Sequence, residues 1–146
     1  MEEMKQDAYQ SLILILEELV SVYSAFFDTL EQEKSALIAF DLSRISEINK
    51  AKEAFITKTK TLERTRQINT EIFLNELNVT DKNIRLTQIV DRLPKDRGAK
   101  LRGVQVALDI TLTRVRDLNK QNERLTQNAL NIIRHSMNLG GDQVNN

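Results

Sequence analysis

Leu12, Leu16, Leu19, Tyr23, Phe26, Leu30 and Leu37 follow one another at alternating intervals of four and three residues, with a last interval of seven in which Glu33 takes a place in the row. That recurrence puts the large side chains on one face of an α-helix but scatters them over both faces of a strand, so it predicts one long helix over about residues 5–39. Five consecutive apolar residues, Leu12 to Leu16, would also suit a buried strand. The same spacing continues for three more turns, and the helix prevails on length. Ile13, Val20 and Phe27 form a second row beside the first. The stripe is therefore wider than a two-stranded coiled coil uses, and three or more helices are expected around it.

Little in the rest of the chain could build anything but helices. Four Gly and one Pro in 146 residues leave too few turns for a sandwich or a series of βαβ units. With 40% hydrophobic and 5% aromatic residues, one elongated domain fits better than a thick globular core. Asp41 or Ser43 can cap a second helix over about 42–77. Its inward row is weaker, because Ile45, Ile48, Phe55, Leu62 and Phe73 alternate with Lys52, Thr59, Arg66 and Asn69. After Asn78-Val79-Thr80-Asp81, a short helix at about 82–92, capped by Thr80, ends at Pro94. A last helix, capped by Asp96, covers about 97–139 with Leu101, Val104, Leu108, Thr111, Val115, Leu118, Asn122, Leu125, Ala129, Ile132, Ser136 and Leu139 along its seam. Gly140-Gly141 is expected to close it and residues 140–146 to fray. The fold class is thus all-α, an elongated antiparallel three-helix bundle with a short extra helix in the second connection. The third long helix, roughly 65 Å against roughly 50 Å for the first, should overshoot its parallel partner by a few turns.

The same residues narrow the function. Twenty-one basic and 21 acidic side chains cancel, which gives no overall charge for nucleic acid. Residues 1–40 are acidic and residues 82–102 basic, a pattern of faces that complement each other when packed. No Cys is present, and Met1 to Asp7 is acidic where a secretory signal would be basic, so a cytosolic chain without membrane insertion is expected. A lone histidine, His135, excludes a His pair for zinc or a relay with a spare, and is read as sitting in the last turn against free carbonyls. Glu17-Glu18 and Glu31/Glu33 cannot converge on one atom from a single helix. No glycine-rich phosphate loop exists. The expectation is a protein that is not an enzyme, takes no cofactor and no metal, and works by offering helix faces.

Three stretches carry a further signal: Glu33-Lys34-Ser35-Ala36-Leu37-Ile38-Ala39-Phe40-Asp41-Leu42 at the first turn, Glu63-Arg64-Thr65-Arg66, and Leu118-Asn119-Lys120-Gln121-Asn122-Glu123-Arg124-Leu125. In order, spacing and total length they resemble the FlgN family of flagellar type III export chaperones. The resemblance implies a cytosolic chaperone without ATPase activity that binds the C-terminal helices of hook-filament junction proteins. It would prevent premature assembly and deliver the client to the export apparatus, its ATPase complex and its gate protein. Two departures stand out. The family often has Gly where Phe40 stands, so the tight turn must use other backbone geometry or expose Phe40. The polar-tail Tyr that some members have for gate docking has no counterpart, since Tyr9 and Tyr23 are both in the first helix.

The resemblance places the client surface at about Leu118–Leu139. Within that stretch Asn122, Ala129 and Ser136 replace the larger Leu101, Leu108 and Val115 at seven-residue spacing, which should leave a shallow trough. Leu118, Leu125 and Ile132 stay large, and Leu130, Ile133 and Met137 widen the apolar arc to about half the helical wheel. A client helix lying in the trough, with adaptable Met137 at its side, is the leading expectation. Packing on the first helix or on a second copy competes with it. The uncovered overshoot and weak second helix also predict a reversible homodimer when no client is bound. A chaperone for another flagellar client and a self-associating coiled-coil protein remain the alternatives.

Overall fold

The computed structural model describes residues 7–81 and 83–145, with side-chain surroundings as far as Leu139. The order is α1 (Ala8–Ala39), α2 (Leu42–Glu76), a short α3 (Leu86–Ile89) that tightens into a 3₁₀ turn (Val90–Arg92), and α4 (Lys95–Asn145). All elements among the described residues are helical, and the three long helices pack together. α1 is the central one: it lies against both α2 and α4 along its length, while α2 and α4 hardly approach each other.

Each helix end has an identifiable cause. Asp7 caps α1 by accepting from Gln10 N–H at 2.7 Å. At the other end Phe40 takes the left-handed conformation (φ 54°, ψ 37°), which lets Asp41 N–H reach Ala36 O at 3.0 Å and Phe40 N–H reach Leu37 O at 3.3 Å. Phe40 thus adopts the geometry for which glycine is the usual residue, and it also stays half exposed. Of the two candidate caps for α2, Asp41 is the one used, accepting from Arg44 N–H at 3.2 Å. Asn78 repeats the left-handed closure at the end of α2 (φ 58°), with Val79 N–H on Leu74 O at 2.9 Å. An asparagine tolerates that region better than a phenylalanine does.

Four local expectations are corrected. The short helix starts at Leu86 rather than 82, and Gln88 Oε1 rather than Thr80 satisfies its first donor, Arg85 N–H, at 2.9 Å. α4 starts at Lys95 directly after Pro94, so Asp96 lies in its first turn, where a carboxylate faces the positive end of the helix dipole. α4 also continues through Gly140-Gly141 to Asn145, with neither glycine at positive φ. Glycine permits a left-handed stop but does not impose one, and each costs a helix only about 1 kcal/mol. His135 consequently stands well inside α4 and exposed, away from the terminal carbonyls.

The main apolar cluster gathers Tyr9, Leu12, Leu16 and Leu19 of α1, Leu62, Phe73 and Leu74 of α2, Ile89 and Val90 after them, and Leu101 and Leu108 of α4. Tyr9 ties three parts of it together. Its ring lies 6.2 Å from that of Phe73, its hydroxyl donates to Arg97 O at 3.1 Å, and the Arg97 guanidinium covers its face at 4.7 Å. Gly98 lets α4 start close under the 3₁₀ turn, since a Cβ there would stand 2.8 Å from Val90 O.

Candidate functional site

The register between α1 and α4 decides where a free surface exists. Tyr9 bonds Arg97, Asp7 pairs with Arg97 at 3.3 Å, and Leu30 O accepts from Asn122 at 2.8 Å, offsets of 88, 90 and 92 residues. The two helices are therefore parallel with an almost constant offset, and Ala39, the last residue of α1, is level with about Ala129. Residues 130–145 continue the helix past the end of α1 for about 24 Å. The overshoot expected from helix lengths is present. Leu130, Ile132, Ile133, Met137 and Leu139 on it are 38, 57, 41, 69 and 51% exposed.

The nine residues expected to meet a client divide at this point. Leu130, Ile132, Ile133, Ser136 and Met137 are exposed on the overhang. Leu118, Leu125 and Ala129 are half-buried on the packed part of α4. Asn122 lies inside the protein: its Nδ2 donates to Leu30 O at 2.8 Å and to Glu33 Oε1 at 2.9 Å. Two acceptors around one atom fix the orientation of the amide, and leave Oδ1 buried without a partner among the described residues. The trough is thus occupied by α1 at Asn122 and opens only from about Ala129 outward.

Glu33 is the reason. Its carboxylate is buried, and Lys52 Nζ of α2 donates to both oxygens, at 2.9 and 3.2 Å. Glu33, Lys52 and Asn122 interrupt the apolar rows of three different helices, and the fold brings them into one layer. A buried layer of this kind penalises any slip of register, because a shift of one turn would leave a charge unpaired.

Sequence reasoning missed part of the exposed apolar surface. Ile38 and Leu42, both largely open to solvent, flank the half-exposed Phe40 at the turn between α1 and α2. Their signal was visible as apolar residues outside the heptad rows. Elsewhere, a 760 Å³ depression lines α2 with Lys60, Glu63, Arg64, Arg66, Gln67 and Thr70. Its charges are partly compensated internally, with Arg66 and Glu63 2.7 Å apart, and it lies away from the overhang. Among the described residues no group of three or more His, Asp or Glu side chains is gathered that could hold a metal. No helix among them is long and apolar enough to cross a membrane.

What such an arrangement can do is present hydrocarbon to another helix. A family model described as FlgN protein matches residues 1–145. No curated protein and no solved structure matches the chain significantly.

Proposed function

The chain belongs to the FlgN family of flagellar chaperones, and on that premise we propose that it is a non-enzymatic cytoplasmic export chaperone for hook-filament junction proteins. Its three long helices form an elongated antiparallel frame. The C-terminal helices of the client lie on the outer part of α4, against Leu130, Ile132, Ile133, Ser136 and Met137, with Leu125 and Ala129 at the inner edge. Leu118 and Asn122 hold the frame on which that surface stands. The observation that carries this reading is the apolar arc of α4 beyond the end of α1, which stays exposed among the described residues. Occupied by a client helix, the arc would keep that helix from assembling early, and the complex would be passed to the ATPase complex and gate protein of the type III export apparatus. Without a client, a second copy covers the arc weakly, as a reversible dimer.

The test is co-purification of the full chain with the C-terminal segments of candidate junction proteins and of a filament-cap protein. A one-to-one complex with a junction segment is expected. A complex with the cap segment alone would reassign the client, and self-association without either would favour a structural coiled-coil role.

A further inference from the structure

α2 turns one side to α1 and leaves the opposite side to solvent. On that outer side Ala54, Thr57, Thr61, Thr65, Ile68 and Ile72 follow one another at intervals of three and four residues, all exposed and none charged. The row is about 27 Å long. Ile68 and Ile72, 51 and 47% exposed, are its largest side chains. Thr57, Thr61 and Thr65 each donate their hydroxyl to the carbonyl one turn back, at 3.2, 3.3 and 3.1 Å. Those donors are satisfied within the helix, so beside the isoleucines the row offers methyl groups.

The charges along this face are divided by sign. Between Lys58 and Glu76 the fully exposed charged residues are Lys58, Lys60 and Arg64 in the first half and Glu71 and Glu76 in the second. None of the five has an ion-pair partner among the described residues. Arg64 and Glu71, the nearest opposite pair, stand two turns apart, about 10 Å along the axis, and cannot meet on their own helix. A helix that offers the same charges in reversed order would pair with all of them.

We propose that this outer face of α2 docks a second copy of the chain, antiparallel, about a two-fold axis close to residues 66 and 67. Such an axis sets the same edge of both helices side by side with their directions reversed. Thr65 of one copy then faces Ile68 of the other, and Thr61 faces Ile72. Glu71 of each copy falls between Lys60 and Arg64 of the other, and Glu76 falls beside Lys58. A parallel pair would set like charges against each other. An anionic bilayer fits less well, because Glu71 and Glu76 repel it and the row has no Trp, Tyr or Phe. One pair of helices about 30 Å long buries less than the roughly 1,200 Å² of a standard interface, so the contact is weak and reversible. α2 starts at the turn beside the foot of the overhang, so the two overhangs point to opposite ends of this dimer and stay free. The proposal therefore goes beyond the client reading and does not rest on it.

Sedimentation of the full-length chain over a range of concentrations tests it. The parent should dimerise reversibly, and so should the Leu130→Asp/Ile133→Asp chain, whose arc no longer takes a second copy. Glu71→Lys should weaken the dimer about tenfold, as should Lys60→Glu/Arg64→Glu. Ile68→Asp should abolish it. Far-UV circular dichroism of each variant should match the parent, since residues 60, 64, 68 and 71 are all exposed. Mixing the Glu71→Lys chain with the Lys60→Glu/Arg64→Glu chain should restore a dimer as strong as the parent's, because the charges of the two variants are again opposite across the contact. A monomeric parent, a dimer indifferent to these changes, or a mixture no stronger than its components overturns the proposal. So does a dimer lost on Leu130→Asp/Ile133→Asp, which gives the self-contact to the overhang and leaves the client reading to its own test. Loss of junction-segment binding in the Ile68→Asp chain would also overturn it, by giving the α2 face to the client.

Discussion

Around Leu16 the helices close over a continuous apolar cluster, supplied by Ala8 to Val22 on α1, Leu62 to Leu74 on α2 and Leu101 to Leu108 on α4. Around Leu30 the same helices also meet through Glu33, Lys52 and Asn122, with a stacked pair of rings, Phe26 and Phe55 at 5.3 Å, between the two regions. Hydrocarbon burial is strong and forgiving of register, whereas a buried ionic layer is nearly neutral in net stability but intolerant of misalignment. The first region therefore holds the molecule together. The second penalises a slip of register most, and so helps to fix how far α4 extends past α1.

Truncation in the apolar region should have the largest effect. Leu16 is fully buried, and Leu16→Ala should cost about 3 kcal/mol, removing solvation energy and leaving a cavity. Urea denaturation measures it, and a loss near zero would mean that the cluster does not carry the fold. In the polar layer a smaller loss is expected, because Lys52 keeps 23% of its side chain in solvent. Lys52→Met alone should cost about 1–2 kcal/mol by stranding the Glu33 carboxylate. The triple change Glu33→Leu, Lys52→Met, Asn122→Leu should restore or exceed the original stability. If the triple variant were the least stable of the set, the layer would be a source of stability and the contrast between the two regions would collapse.

Much of this division was legible in the residues, but not its meaning. Leu12, Leu16, Leu19 and Leu30 announced their burial because the period of an α-helix leaves no other way to bury them jointly. Glu33, Lys52 and Asn122 looked like three separate flaws in three rows, since a period reports which face a residue is on and not which residues share a level. Only the axial offset of the helices brings them together. Phe40 was recognisable as out of place at a tight turn, whereas the exposure of Ile38 and Leu42 depended on how that turn projects. The stop expected at Gly140-Gly141 failed because a local permission was taken for a requirement.

A subtler effect should appear in alkali, at two phenols of the apolar region. Burial raises the phenol of Tyr9 above 10.0, against the opposing pull of the Arg97 cation. Burial and then the neighbouring Glu63 carboxylate raise that of Tyr23, whose hydroxyl donates to Glu63 Oε1 at 3.4 Å. Both phenols bind their proton more tightly folded than unfolded. Their contribution is complete below about pH 10 and is lost as the pH rises through the folded-state values. Thermal unfolding between neutral pH and pH 11 should show that decline, and it should be shallower in Tyr23→Phe. An identical slope in the variant would place Tyr23 in ordinary solvent.

The proposed partner surface on the overhang of α4 should be separable from the part of α4 that frames it. The direct measurement is the affinity of the Leu130→Asp/Ile133→Asp chain for a junction-protein C-terminal segment, taken with far-UV circular dichroism and amide exchange over residues 8–115. Two carboxylates at the contact should abolish binding by burying charge, while helicity and the protection of the apolar cluster stay as in the parent. Affinity equal to that of the parent would put the client on another face of the molecule.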